Sequence, residues 1–274
     1  MELYEQLERT AGVQAQAIAK HLKASGVNEW ADLTKARLMD FRDTLKRELA
    51  PSSAKTVAAA LSAFLHRYEE EGLIPCTTFS EILRLRGEKC VKTFLTPSEV
   101  ERLERLEVKN ETERYVLNEF LVGCRTGARI SDVKAFTIEN IQGGLLTYTS
   151  IKTGITASIP VSDTTAERIA YLNECGVEVS PMQYGRIIRR LCKRAGITEQ
   201  VKVHKGGKDK TGPKYMFITS HSARISVCTN LANMGVPALD IMQIAGHTDP
   251  AMTARYIVRT SPRLNERAMN YLKK

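Results

Sequence analysis

No stretch of about 18 apolar residues occurs anywhere in the 274-residue chain, so no membrane-spanning helix is expected. The N-terminus, MELYEQLERT, places three carboxylates ahead of any apolar run, which is not the pattern of a secretory signal. The six cysteines, Cys76, Cys90, Cys124, Cys175, Cys192 and Cys228, are scattered and form no C-x-x-C pair. That argues against a zinc ribbon or a thioredoxin-like redox motif, and it points to free thiols in a reducing cytosol. There is no G-x-x-x-x-G-K-[ST] loop for a nucleotide and no H-E-x-x-H for a catalytic zinc. Internal repeats and low-complexity tracts are lacking too. With 26% charged and 43% hydrophobic residues, the chain has an ordinary globular composition.

What is present in excess is positive charge, and it is unevenly placed. The net charge is +9, yet residues 1–90 carry 13 basic and 13 acidic groups, so the whole excess lies in residues 91–274. Residues 182–214 hold ten basic groups against two acidic ones, and residues 255–274 hold six against one. Clustered cations of this kind are the usual footprint of phosphate binding, although a solvated basic face gives the same count.

The first part reads as helix throughout. Thr34 is placed to cap a helix with Leu38, Phe41, Leu45 and Leu49 as its stripe, and Pro51-Ser52-Ser53 breaks it and caps the next. Val57, Leu61, Phe64, Leu65 and Tyr68 share a face of that next helix, which ends near Gly72. Val13, Ile18 and Leu22 predict an earlier helix stopping near Gly26, and residues 78–86 a short last one. Residues 1–88 are therefore expected to form a bundle of four or five helices, followed by a linker over 89–95. Thr96-Pro97-Ser98-Glu99 then forms a capping box with proline at the first helical position. A buried helix follows over 112–125 and ends at Thr126-Gly127, and a short helix starts near Arg129. Alternating residues over 144–161 around Lys152-Thr153-Gly154 predict a β-hairpin. Ser180-Pro181-Met182-Gln183 is a second capping box with proline at the start, and it opens a basic helix to about residue 195. A Gly- and Lys-rich loop or ribbon tip covers 202–214, and three helices close the chain over 221–234, 237–245 and 250–258. A tail helix starts at Ser261-Pro262. The expected fold is mainly α with a small β-hairpin or sheet.

Polar residues stand at the junctions of these elements: Arg129 after the Gly127 break, Lys152 at the hairpin tip, His221 and Arg224 at a helix start, His247 after Gly246, and Tyr256. Taken singly, each fits an ordinary surface or packing role. In this order they are specific. TGARISDV (126–133), SIKTG (150–154) and TSHSARISVCTNLANMGVPALDIMQIAGHTDPAMTARYI (219–257) together resemble the tyrosine recombinases, the phage integrase family. The resemblance covers 96–274 well. The N-terminal bundle resembles the family's core-binding domain by helix count, size and position only. Three positions depart from the family pattern, Ala223, Ile225 and Ala245, and none removes a catalytic group.

The resemblance implies a catalytic domain over 96–274 that cuts and rejoins DNA through a 3′-phosphotyrosyl intermediate, without metal or ATP. Tyr256 would be the nucleophile, His221 the base and Lys152 the general acid. Arg129, Arg224 and His247 would hold the phosphate, and Asp132 would orient the site. This residue set suits the chemistry, because phosphodiester transfer builds negative charge on non-bridging oxygens that guanidinium forks can grip. The backbone-contacting residues are expected to be Arg186, Arg189 and Arg190 on the basic helix and Lys205, Lys208, Lys210 and Lys214 on the ribbon. The implied partners are double-stranded DNA with paired recognition sites and three further copies of the chain on synapsed DNA, with a monomer free in solution. Accessory DNA-bending proteins are a further implied partner, and the implied location is the cytoplasm, at the nucleoid. Residues 261–274 would be the helix exchanged between protomers. Two other readings use the same groups: a type IB topoisomerase-like enzyme, and a non-catalytic DNA-binding protein on this fold.

Overall fold

Local sequence accounts for most of the helix boundaries in the computed structural model, which describes residues 2–88 and 92–258. The chain divides into two compact units, one of Met1–Cys90 with His204–Asp209, the other of Val91–Val203 with Lys210–Lys274.

The first unit contains α1 (Leu3–Thr10), α2 (Ala15–Ala24), α3 (Lys35–Glu48), α4 (Pro51–His66) and the short α5 (Phe79–Ile82). Thr34 caps α3 by accepting from the Arg37 N–H. Pro51 stands at the start of α4, but the capping residue is Ala50, which offers no side-chain oxygen, so the expected serine cap is not formed. Helix α1 escaped the sequence reading because its buried face is only Leu3, Gln6 and Leu7. Val13, expected in one helix with Ile18 and Leu22, is 96% exposed in a 3₁₀ turn that separates α1 from α2. The core is closed by Trp30, stacked on Phe64 at 5.6 Å and tilted against Tyr68 at 4.9 Å.

The second unit is built around α7 (Glu111–Thr126), which packs against α6 (Pro97–Glu104), α8 (Ile130–Val133), α9 (Asp163–Glu174), α10 (Pro181–Arg194) and α11 (Ser220–Met234). Ten of its residues are buried, because neighbours cover it on nearly every side. Thr96 and Glu99 form the expected capping box of α6. Gly127 ends α7 at φ +71°, a conformation that costs a residue with a Cβ, and a Cβ there would also meet Val227 at 3.2 Å. The sheet runs β1 (Ile141–Gln142), β2 (Leu145–Thr149), β3 (Thr156–Pro160), all antiparallel. Its register pairs Leu146 with Ile159 and Tyr148 with Ala157 on the buried face, as period-two alternation requires. Residues 202–213 lie within a second hairpin, β4 (Gln200–Lys205) and β5 (Lys208–Pro213), and Lys214 opens a 3₁₀ turn. Helices α12 (Ala238–Ala245) and α13 (Pro250–Tyr256) follow α11. The tail expected over 261–274 lies outside the described residues. Among the described residues no helix is long and apolar enough to cross a membrane.

One buried charge in α7 has a measurable consequence. Glu119 is 1% exposed, with the Lys134 ammonium 3.9 Å away and the Tyr115 hydroxyl donating to it at 3.4 Å. Burial outweighs both partners and pushes its pKa up to about 7. The unfolded carboxyl ionises near 4.5, so the folded state holds a proton that the unfolded chain has released between the two values. Stability is expected to fall as pH rises from 4.5 to 7, by roughly 3 kcal/mol. Glu119→Gln should flatten that slope in urea unfolding curves at pH 5 and pH 7.5. Parallel slopes in the two proteins would mean that Glu119 is charged throughout.

Candidate active site

Helix α11 supplies the centre of the site. Thr219 and Ser222 close a capping box at its start, which fixes the first turn and with it His221 and Arg224. Arg224 is 1% exposed, and its Nη1 donates to the Gly127 carbonyl at 2.9 Å. Among the described residues its Nε and Nη2 have no partner. The glycine that ends α7 thus also presents a carbonyl to the buried guanidinium. Burial, and next to it Arg129, lowers the Arg224 pKa from its ordinary value.

Arg129 caps α8, and its Nη1 donates to Ser150 Oγ at 3.0 Å. Ser150 Oγ in turn donates to Asp132 Oδ2 at 3.0 Å, and the Ile151 N–H donates to Asp132 Oδ1 at 3.0 Å. Asp132 is fully buried, so it is a fixed acceptor for the β2–β3 turn. That turn is closed by Gly154 N–H to Ser150 O at 2.8 Å and carries Lys152, whose side chain is exposed. Arg129 and Lys152 are therefore held from one carboxylate. Sequence reasoning singled out Asp132 and missed Ser150, since a serine in a turn carries no signal until its partners are seen.

His247 is delivered by a Schellman closure after α12, in which the Gly246 and His247 N–H groups turn back to Gln243 and Met242. The residue is 3% exposed, Nδ1 bonds Thr253 Oγ1 at 2.9 Å, and Nε2 has no partner among the described residues. Tyr256, half-buried at the end of α13, has its ring 4.6 Å from that of His247 and 5.1 Å from that of His221. The Arg224 Cζ stands 5.3 Å from the same ring centroid. Thr229 on α11 holds the backbone here by donating to the Tyr256 carbonyl at 3.1 Å and accepting from the Val258 N–H at 3.1 Å. Thr229 and Thr253 were also missed, for the same reason as Ser150.

Burial and then the surrounding cations push both histidines down to a pKa of about 4. For His221 burial comes first, and the cations Lys92, Arg224, Arg129 and Lys152 add to it in keeping the ring neutral. A phosphate diester entering among these groups would restore the balance of charge and favour protonation. The arrangement offers a neutral base, unpartnered guanidinium and imidazole donors, and a phenol hydroxyl in one place.

The residues expected to touch the DNA backbone fare unevenly. Lys214 is corrected: it is 4% exposed, with its ammonium on Glu99 at 2.7 Å, a buried pair that leaves nothing for a phosphate. Arg190 is exposed but bonded to Glu113 at 3.1 Å, and Arg189 donates to the Gly185 carbonyl of its own helix at 2.7 Å. Arg186, Lys208 and Lys210 are exposed. The side chain of Lys205 lies outside the described residues.

The chain is similar to known proteins over most of its length. The model of the phage integrase family matches residues 93–261. A tyrosine recombinase of Pseudothermotoga lettingae is 20% identical, over 84% of this chain and 79% of that one. A crystal structure of a lambda integrase dimer bound to a core site superposes with a TM-score of 0.70 at 17% identity, covering 95% of this chain and 97% of that chain. A lambda integrase tetramer bound to a Holliday junction gives 0.64 at 17% identity, covering 95% and 79%. At such identities the likeness to the two structures is one of fold.

Ser150→Ala would strip Arg129 and Asp132 of their shared partner. The two are already 3.9 Å apart and can close on each other, so the expected loss is about 1 kcal/mol rather than the full cost of two orphaned groups. Chemical denaturation measures it, and an unchanged midpoint would show that the network carries no stability.

Proposed function

The chain belongs to the phage integrase family, and we propose that it works as a tyrosine-type site-specific DNA recombinase with Tyr256 as its nucleophile. The observation that carries the assignment is the convergence of Tyr256, His221, His247 and Arg224 within one ring-to-ring cluster. Tyr256 Oη attacks the scissile phosphorus and forms a 3′-phosphotyrosyl ester, with its proton taken by His221. Arg129, Arg224 and His247 Nε2 stabilise the charge on the non-bridging oxygens, where fixed donors in a water-poor site act most strongly. Lys152 protonates the departing 5′-oxygen. Attack of a second 5′-hydroxyl on the ester then rejoins the strand to a new partner, so the bond energy is conserved.

Double-stranded DNA is the substrate under this reading, with Arg186, Lys208 and Lys210 as backbone contacts. The enzyme assembles on DNA as its lambda relative does, as a tetramer when two sites are paired, with accessory DNA-bending proteins as further partners. It works where the chromosome is, in the cytoplasm. Exchange between two sites, as opposed to relaxation of one duplex, separates this reading from a topoisomerase.

A nicked suicide substrate should trap the wild-type protein as a denaturation-resistant adduct, and in EDTA as well, since the guanidinium groups carry the charge stabilisation. Tyr256→Phe should bind the same DNA and form no adduct. An adduct in that variant would assign the nucleophile elsewhere, to Tyr215 or Tyr271. Lys152→Ala should cleave about 10²–10⁴-fold more slowly, the usual range for a lost general acid. Replacing the bridging 5′-oxygen with sulfur makes the leaving group a thiolate that departs unprotonated, since thiols ionise near ~8.5. That substrate should restore Lys152→Ala nearly to the wild-type rate, and should restore neither Arg129→Ala nor Arg224→Ala. A Lys152→Ala variant that stays slow on it would make Lys152 a phosphate-binding or structural residue.

A further inference from the structure

We propose that Lys92 serves the reaction as a cation fixed over the ring of Tyr256, where it favours the ionised phenol. This rests on the reading of Tyr256 as nucleophile. The Lys92 ammonium stands 5.0 Å from the Tyr256 ring centroid, at a distance where a cation and an aromatic face attract. Among the described residues no carboxylate pairs with it, so its charge is not cancelled locally.

The backbone next to Lys92 is fixed. Three residues on, the fully buried Leu95 donates its N–H to Ser226 Oγ at 2.8 Å and accepts from Asn230 Nδ2 at 2.9 Å. Ser226 and Asn230 lie on α11, the helix that carries His221 and Arg224. Thr93, between Lys92 and Leu95, is also buried. The segment that brings Lys92 to the nucleophile is therefore tied to the helix that brings the base and the buried arginine.

The charged and titratable groups of the site as a whole define what this charge can do. From α11 come His221, Arg224 and the Cys228 thiol, from the end of α12 His247, from α8 Arg129 with Asp132, and from the hairpin Tyr148 and Lys152. When a phosphate diester enters, Arg129, Arg224 and His247 are engaged by its oxygens, and the diester's own negative charge opposes a phenolate. Lys92 lies over the ring itself, and so offsets that charge at the nucleophile. It gains and loses no atom: the Tyr256 proton passes to His221, the Oη–P bond forms, and the P–O5′ bond breaks with a proton from Lys152.

The test is the single-turnover rate of adduct formation on the suicide substrate, at saturating DNA, from neutral to alkaline pH. Lys92→Gln should lose about tenfold near neutrality, the effect of one pKa unit on the phenolate fraction. The deficit should close as pH approaches the ordinary phenol pKa of ~10. Lys92→Arg should keep the wild-type profile. A deficit that does not change with pH overturns the proposal, and so does weaker DNA binding with an unchanged rate at saturation, which would make Lys92 a backbone contact. Absence of any wild-type adduct, or an adduct in Tyr256→Phe, would overturn the nucleophile assignment instead.

Discussion

A buried, underbonded guanidinium organises this protein. Arg224 is 1% exposed, and its one hydrogen bond among the described residues goes to a neutral carbonyl. An ion held in the interior without a counter-charge costs several kcal/mol. The fold bears that cost through the packing of α7 against α11, and the two unpartnered nitrogens of Arg224 are what it obtains. A phosphate is the kind of group that would complete them, being negative and able to accept from one guanidinium fork with two of its oxygens.

The rest of the site follows from that constraint. Arg129 beside Arg224 adds repulsion, and the carboxylate that offsets it, Asp132, is engaged by Ser150 and Ile151 and so reaches Arg129 largely through a hydroxyl. Burial, and after it the cations, push both histidines below ordinary histidine pKa values and keep them neutral, which is the state a base needs. Repulsion among the cations adds to that neutrality, and an arriving anion relieves the repulsion and makes the neutral imidazoles stronger bases.

The order Arg129, Lys152, His221, Arg224, His247, Tyr256 could be read from the chain because each residue sits where an element starts or ends, beside a glycine, a cap or a turn. The main helices were legible from capping boxes and apolar stripes. Helix α1 was not, because a two-leucine stripe is too short a pattern, and the two-residue β1 has none at all. Ser150, Thr229 and Thr253 are common residues whose part lies in partners 18, 27 and 6 positions away. Lys214 misled in the opposite direction. In sequence it ends a lysine-rich run, and in space it neutralises Glu99, 115 positions earlier.

By itself, then, the amino-acid sequence determined the helical class and the part of the chain that carries the excess charge. These depend on local caps, periodicity and composition, which act over a few residues. Only the tertiary structure decided which cations are free. A lysine or arginine looks the same in a sequence whether its charge is neutralised, as in Lys214 on Glu99, or left open, as in Arg224 and in Lys92 over Tyr256. Coulomb energy depends on distance and on burial, and both are set by packing between segments far apart along the chain.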